Sequence, residues 1–123
     1  MSGTMSGQNW DVRVTDNTVV VELPEDIELD RQTGQQVNQQ FFAATEQPHV
    51  DSVLTLLRVE EPLGSGLFEE VQRGADRAAA DGVTRWAIHV QEKIKGMAFK
   101  SNIDGLETRV FEDERQARDW VGQ

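Results

Sequence analysis

The chain has 123 residues, and its 22 acidic side chains outnumber 12 basic ones to give a formal net charge of −10. It contains no cysteine, which excludes disulfide bonds, thiol catalysis and cysteine-ligated metal sites. The negative charge argues against binding to nucleic acid, because contacts to phosphates need a basic surface. A chain of this length is expected to fold as one domain around its own hydrophobic core.

The acid-rich, lysine-poor composition resembles that of proteins from salt-accumulating microbes, including halophilic archaea. Molar salt shortens the Debye length to about 3 Å and screens the self-repulsion of such a chain. A mildly acidic mesophilic protein is the alternative. No apolar run reaches the length of a membrane span, so we expect a cytoplasmic protein without a transmembrane segment. Residues 1–8 are predicted to be a flexible tail, and residues 9–123 a single domain.

Hydrophobic periodicity predicts five strands and four helices in the order ββαβαβαβα. The first two strands form a hairpin around Asp16 and Asn17, and Asp26 or Asp30 caps the first helix. Because each later strand follows a helix, right-handed crossovers give a mixed α/β sheet that is parallel after the hairpin. The predicted strands cover about residues 10–15, 19–23, 53–59, 83–90 and 108–111. The predicted helices cover the segment up to residue 47 and about residues 65–80, 92–101 and 112–121.

Two predictions concern packing. The tryptophans Trp10, Trp86 and Trp120 lie on three different elements and are expected in the core, where each indole N–H needs an acceptor. On the short third helix, Ile94 and Met97 are predicted to face inward.

A candidate functional edge follows the most apolar predicted strand. Residues 53–59 form a nearly continuous apolar run, which is typical of a strand buried on both faces. Gly64, Ser65 and Gly66 come after this strand and open a helical pattern. They are therefore predicted to lie at the carboxyl end of the strand, where α/β sheets usually bind their ligands.

Ser65 is the one hydroxyl residue among residues 62–68. A phosphate on it would meet N–H groups that a helix start leaves unpaired, at the favourable end of the helix dipole. Four glutamates surround the position in sequence and oppose a phosphate there: Glu60, Glu61, Glu69 and Glu70. The structural alternative is a serine N-cap, which is worth about 1 kcal/mol.

A basic window after the fourth strand contains all three lysines of the chain: Lys93, Lys95 and Lys100. In the predicted fold this window lies near the edge formed by residues 64–66. It is predicted to meet an acidic partner, a phosphate or a lipid headgroup, with Met97 and Phe99 supplying apolar contact. Alternatively, the lysines balance nearby acids, and both apolar side chains belong to the core.

Over about residues 9–121, the element order resembles that of STAS domains, the fold of anti-sigma factor antagonists. Within that fold the chain looks most like the SpoIIAA-like group, and two motifs carry the likeness. Gly64-Ser65-Gly66-Leu67 is similar to the Asp-Ser-Ser-Gly-Leu-type motif of the antagonists, in which a serine is phosphorylated. Residues 108–121 are similar to the SpoIIAA-like ending, a strand closing in Val-Phe, then acids, then Ala-x-x-Trp.

The resemblance implies a switch protein that docks a partner, such as a kinase-type anti-sigma factor, through the N-terminal edge of its second helix. In the motif, Leu63 takes the place of the aspartate and Gly64 the place of the serine usually phosphorylated, so Ser65 matches the serine after it. In a halophilic archaeon the sigma-factor role would not carry over literally.

An alternative function follows from a second likeness. SpoIIAA-like domains resemble the lipid-binding CRAL-TRIO fold, which implies a small-ligand or lipid carrier with an apolar pocket near residues 93–103.

An enzyme is not predicted. Walker, nucleophile-elbow, zinc-protease and dinucleotide motifs are absent from the sequence. His49 and His89 lack the spacing of a metal site, and the acid clusters are expected on the surface. The sequence therefore predicts a non-enzymatic protein-interaction module without a metal or cofactor.

Overall fold

The computed structural model describes residues 10–25, 27, 30–59 and 64–122, and for Ser65 it describes the backbone. The predicted flexible tail over residues 1–8 and the possible cap Asp26 lie outside the described residues.

The element order is ββαβαβαβα, as predicted. The strands are β1 Asp11–Thr15, β2 Thr18–Leu23, β3 Ser52–Leu57, β4 Arg85–Val90 and β5 Glu107–Phe111. The helices are α1 Arg31–Thr45, α2 Ser65–Ala80, α3 Lys93–Lys100 and α4 Glu114–Trp120. The predicted bounds of α2 are reproduced, whereas β3 ends two residues earlier than predicted.

The five strands form one sheet in the order β1-β2-β3-β4-β5. The β1–β2 hairpin is antiparallel, and the remaining pairs are parallel. Because each crossover moves one strand further in the same direction, right-handed connections place α1, α2 and α3 on the same face of the sheet. Helix α4 covers the other face, where Ala117 and Val121 join a separate small core.

Strand β3 supplies side chains to both faces of the sheet, and all six of its residues are buried. Val53 and Leu57 belong to the large core beneath α1–α3, while Leu54 and Leu56 belong to the core beneath α4. This alternation explains the continuous apolar run in the sequence, because neither face of the strand meets water.

Local sequence sets where the helices begin and end. Asp30 caps α1 by accepting a hydrogen bond from the N–H of Thr33 at 2.9 Å. Helix α2 stops at Gly82, whose φ of 99° is strained for other residues, and the N–H of Val83 then bonds to the carbonyl of Ala78 at 3.0 Å.

The orientation of α3 differs from the prediction. Ile94 and Met97 were expected to face inward, but they are 80% and 46% exposed. Gly96 and Phe99 face the sheet instead, and a Cβ on Gly96 would lie 2.6 Å from Cγ1 of Val110. The helix lies so close to β5 that a glycine is needed at the contact, which rotates the larger apolar residues outward.

Two of the tryptophans are buried, as predicted: Trp10 and Trp86 are 7% and 4% exposed. Trp120 is only partly buried, because it packs at the edge of the small core beside Phe111. Guanidinium groups of Arg85 and Arg109 lie over its ring at 5.4 and 5.7 Å from the ring centre. None of the helices in the described ranges is long and apolar enough to cross a membrane.

Candidate functional site

Helices α1, α2 and α3 all begin at one edge of the sheet. Each follows a strand of the parallel set β2–β4, and parallel strands end at the same edge. The sequence-predicted residues Gly64, Ser65 and Gly66 therefore lie at the same edge as Lys93 and Lys95. The sequence analysis expected the basic window to lie near residues 64–66, and this topology explains why Lys93 and Lys95 do.

Helix α2 begins one residue earlier than an N-cap serine would require. The N-cap is Gly64, with extended φ and ψ of −85° and 160°, and Ser65 is the first helical residue. The prediction of Ser65 as N-cap is therefore wrong, because the backbone leaves the extended region already at position 65. The carbonyl of Gly64 accepts the N–H of Leu67 at 3.1 Å. The N–H groups of Ser65 and Gly66 stand at positions that have no acceptor within a helix.

Arg31 is a cation at this edge that the sequence analysis missed. It is the first residue of α1, and a Cβ on Gly66 would lie 3.3 Å from both Cβ and Nε of Arg31. Its Nη2 donates to Oε1 of Glu69 at 2.5 Å, and its side chain is 54% exposed. The signal that could have found it is its place directly after the predicted cap Asp30, since α1 starts at the same edge as α2.

The three lysines of α3 differ in their exposure and in their position along the helix. Lys95 has a side chain only 15% exposed, and its Nζ donates to the carbonyl of Val59 at 2.7 Å, just beyond β3. Lys93 is exposed at the start of the helix. Lys100 is the last residue of α3 and lies about 10 Å further along the helix axis, at an end where a cation complements the helix dipole.

A depression of about 300 Å³ lies between the ends of β3 and β4 and the start of α3. Arg58 on its wall bridges two elements, because it donates to Glu22 at 3.0 Å and to Glu114 at 2.9 Å. Its lining is mixed in polarity and consists of Leu57, Arg58, Val59, Val90, Gln91, Glu92 and Lys95.

Glu114 fixes α4 against this edge. A hydrogen bond from Arg118 at 2.9 Å lowers the pKa of the Glu114 carboxyl below its ordinary value, and the charges of Arg118 and Arg58 add to that effect. The carboxylate thus stays charged, and it ties the start of α4 to the segment that leaves β3.

The described residues contain no cluster of three or more metal-ligating side chains. His49 is exposed in the loop after α1, and His89 lies on β4, 40 positions further along the chain. The Nδ1 atom of His89 is buried and has no hydrogen-bond partner within the described residues. The structure does not bring the two histidines together into a site.

The arrangement of five strands and four helices matches the STAS fold. No protein-family model matches the sequence, and no curated protein is significantly similar to it. Several solved structures are similar to the chain. The anti-sigma factor antagonist SpoIIAA in its unphosphorylated form is 21% identical, with a TM-score of 0.67 over 91% of this chain and 96% of that one.

The second similar structure is an anti-sigma-factor antagonist (STAS) domain protein from Planctomyces limnophilus. It is 23% identical, with a TM-score of 0.64 over 89% of this chain and 96% of that one. The third is the NMR structure of the protein TM1081, which is 15% identical with a TM-score of 0.64, covering 89% and 86% of the two chains. These likenesses establish the fold that the sequence motifs predicted.

Proposed function

We propose that the protein is a non-enzymatic regulatory module that binds a partner protein through the surface where α2 and α3 begin. We name this surface the docking edge; it consists of Gly64, Ser65, Gly66, Arg31, Lys93, Lys95, Ile94 and Met97. The observation that carries the proposal is the 80% exposure of Ile94, a large apolar side chain between two lysines of an acidic chain.

The chemistry of the docking edge defines the partner. Ile94 and Met97 are the large hydrophobic side chains exposed in the described part of the chain, and both lie on α3. Apolar anchors next to the exposed Lys93 suit a partner that presents an apolar groove with an acidic rim. Two similar structures are anti-sigma-factor antagonists, which supports a regulatory protein as the partner class.

Lys100 belongs to the proposed binding residues through its charge rather than its position, since it ends α3. We expect it to raise the rate of association with an acidic partner and to contribute little to the bound contact.

Ser65 is the candidate phosphoacceptor of the docking edge. Ser65 is the first residue of α2, a helix position where backbone N–H groups favour a phosphate, and Arg31 lies against the neighbouring Gly66. The added negative charge would lower the affinity for an acidic partner, so phosphorylation would act as a switch. Intact-mass spectrometry of protein from its native host tests this, and an unmodified chain throughout growth contradicts it.

The partner is sought by affinity capture in concentrated salt from the native host, followed by identification and binding measurement with the purified protein. We expect Ile94→Ser to weaken that binding at least tenfold, as for a central anchor. Ala43→Ser makes a similar polar change at an exposed position of α1 and should leave the affinity unchanged. Equal affinities of the Ile94→Ser variant and the unaltered protein would refute the docking edge.

The charge balance supports a working environment of molar salt, and we propose a halophilic source on that basis. Potassium chloride should raise the melting temperature steadily into the molar range, because it screens the net charge of −10. A melting temperature that is flat or falls with salt contradicts the halophilic origin.

The volume of the apolar cavity limits the size of the ligand that a carrier of this fold could hold. From the 93–103 segment, Phe99 is the residue that lines the apolar cavity, which lies mainly between α1, α2 and the sheet. That cavity has a volume of about 50 Å³, whereas benzene occupies one of about 150 Å³. A small ligand of a few atoms is the form of this alternative that fits the molecule.

A further inference from the structure

Strand β1 is an outer strand of the sheet, and half of its backbone groups point away from the hairpin. The carbonyl of Leu23 on β2 accepts a hydrogen bond from the N–H of Arg58, just beyond β3. Backbone groups alternate in direction along a strand, so odd-numbered residues of β2 face β3 and even-numbered ones face β1. Each even-numbered residue of β2 lies opposite an odd-numbered residue of β1. The N–H and C=O groups of Val12 and Val14 therefore point outward, and we name this row of groups the β1 edge.

The β1 edge lacks the features that usually prevent pairing with another chain. Outer strands are often protected by proline, by lysine or by a bulge. Strand β1 contains neither proline nor lysine, and its register with β2 is regular throughout. No strand of the described ranges pairs with its outer side. Val12 and Val14 pack against the large core from one face, while Asp11 and Arg13 are exposed on the other.

Asp11 is poorly matched within its own hairpin. It lies directly opposite Glu22, and like charges at such positions destabilise a sheet. Arg13 donates to Asp11 at 2.7 Å and to Glu22 at 3.3 Å, so one guanidinium serves both carboxylates. Glu22 has a second cation, because Arg58 donates to it at 3.0 Å. An arginine from a further strand beside β1 would give Asp11 a cation of its own.

We propose that two copies of the chain pair through their β1 edges, antiparallel and related by a two-fold axis at Val12. The two Val12 residues then exchange backbone hydrogen bonds, and Asp11 of each copy lies opposite Arg13 of the other. These charged pairs occupy positions without backbone bonds, where opposite Cα atoms are about 4.5 Å apart and side chains are closest. The two sheets become one continuous sheet. The inference does not depend on the proposed regulatory function.

The charges of β1 select this register over its neighbours. Outward backbone groups recur at every second residue, so a pairing axis can also lie at Arg13 or at Val14. An axis at Arg13 puts two guanidinium groups directly opposite each other, which is destabilising. An axis at Val14 puts Val12 opposite Asp16, whose φ of 55° takes it out of the strand. The axis at Val12 is the register in which opposite charges meet.

Strand β5 is the other outer strand, and its charged side chains contact neighbouring elements. Glu107 lies 3.7 Å from Arg85 on β4. Arg109 lies over the ring of Phe111 at 5.2 Å and over that of Trp120, at the end of α4, at 5.7 Å. A strand added beside β5 would compete with these contacts. Strand β5 therefore supplies a control for the β1 edge.

Sedimentation velocity over a series of protein concentrations measures the pairing. In about 0.15 M potassium chloride the Debye length of about 8 Å screens distant charges more than contacts within β1. Strands of five residues form a small interface, so we expect a monomer–dimer equilibrium that depends on concentration. A chain that remains monomeric at every concentration would overturn the proposal.

Two charge variants test the register. Asp11→Arg puts arginine opposite Arg13 of the other copy, and Arg13→Asp puts aspartate opposite Asp11, so each alone should dimerise about tenfold more weakly. An equal mixture of the two variants restores both pairs of opposite charge and should dimerise as the unaltered protein does. A mixture that dimerises no better than its components would contradict the register. Asp11→Arg also removes the like-charge pair with Glu22, so it should fold even if Arg13→Asp does not. Unchanged dimerisation of Asp11→Arg would then overturn the proposal.

Three further variants locate the interface, with the melting temperature reporting that each is folded. Val12→Pro removes an outward N–H that the hairpin does not use, and should abolish pairing. Arg109→Asp makes the same charge change on β5 as Arg13→Asp makes on β1, and should leave the dimer unchanged. Ile94→Ser alters the docking edge and should also leave it unchanged. Loss of the dimer in either of these two variants would place the interface elsewhere and refute pairing through β1.

Discussion

The four helices fall into two pairs by the way they begin. Helices α1 and α4 start at aspartates, Asp30 and Asp113, whose side chains accept backbone N–H groups of the first turn. Helices α2 and α3 start at Gly64 and Glu92, which make no side-chain hydrogen bond to the helix. Most residues of the proposed docking edge lie on the uncapped pair, and Arg31 of α1 joins them.

We interpret the capped helix starts as contributing to stability and the uncapped starts as available for binding. An aspartate cap adds about 1 kcal/mol relative to alanine, and it occupies the N–H groups that an anion would otherwise reach. Where a helix end serves only to fold, the sequence supplies the cap. At α2 and α3 no N-cap side chain bonds to the first-turn N–H groups, and the exposed Ile94 and Lys93 lie at the start of α3.

The exposure of Ile94 at the start of α3 depends on close packing of this helix against the sheet. Gly96 permits that packing. In Gly96→Val the new Cβ would come within 2.6 Å of Val110 and 2.9 Å of Val90, so we expect a loss of about 1–3 kcal/mol in the free energy of unfolding. Urea denaturation measures it. Ala98→Val puts the same side chain on an exposed position of α3 and should cost only a few tenths of a kcal/mol. Equal losses in the two variants would show that the close contact is not needed.

Much of this architecture could be predicted from the sequence, because periodicity and cap signals are local. The run from residue 53 to 59 and the Asp81-Gly82 stop placed β3 and the end of α2. The outward rotation of Ile94 could not be predicted, because it depends on Val90 and Val110, which meet Gly96 only in the folded sheet.

The candidate site was predicted only in part, for the same reason. The position of residues 64–66 beside the start of α3 followed from the element order alone. Arg31 was missed, because its contact with Gly66 joins two helices that are distant in sequence. The acid clusters, Glu69-Glu70 among them, are predicted to lie on the surface, and this is wrong for Glu70, which is buried against Asn38.

At α4, removal of the cap should reveal its contribution directly. Asp113 accepts the N–H groups of Arg115 at 2.8 Å and Gln116 at 3.3 Å, so Asp113→Ala should lower the free energy of unfolding by about 1 kcal/mol. Asp113→Asn retains an acceptor and should behave nearly as the unaltered protein, again by urea denaturation. Partner binding at the docking edge should be unaffected by either change. A loss of affinity in Asp113→Ala would break the division between folding and binding ends.

The ion pairs of Glu114 should make the stability contribution of α4 depend on pH. Because Arg118 lowers the pKa of Glu114 in the folded state, the stabilisation is present above the ordinary value of 4.5 and is lost as pH falls through the lower folded value. At neutral pH, Glu114→Gln should be less stable by about half a kcal/mol, a small effect because the side chain is partly exposed. The gap should close in acid, and Glu112→Gln, an exposed neighbour, should show no such gap. A gap that is constant across pH would assign the loss to packing rather than charge.

The sharpest test of the comparison gives α2 the cap that it lacks. A Cβ on Gly64 would meet nothing within 4 Å, and its φ of −85° suits any residue, so Gly64→Asp should fold normally. We expect a gain of only a few tenths of a kcal/mol in stability, since glycine is itself a tolerable N-cap. The carboxylate would occupy the first-turn N–H groups and add negative charge, so affinity for an acidic partner should fall. Gly64→Ala adds a Cβ without an acceptor and should bind nearly as the unaltered protein does. If the Gly64→Asp variant kept full affinity, the start of α2 would have no part in docking. The apolar contacts of α3 would then have to account for the whole affinity.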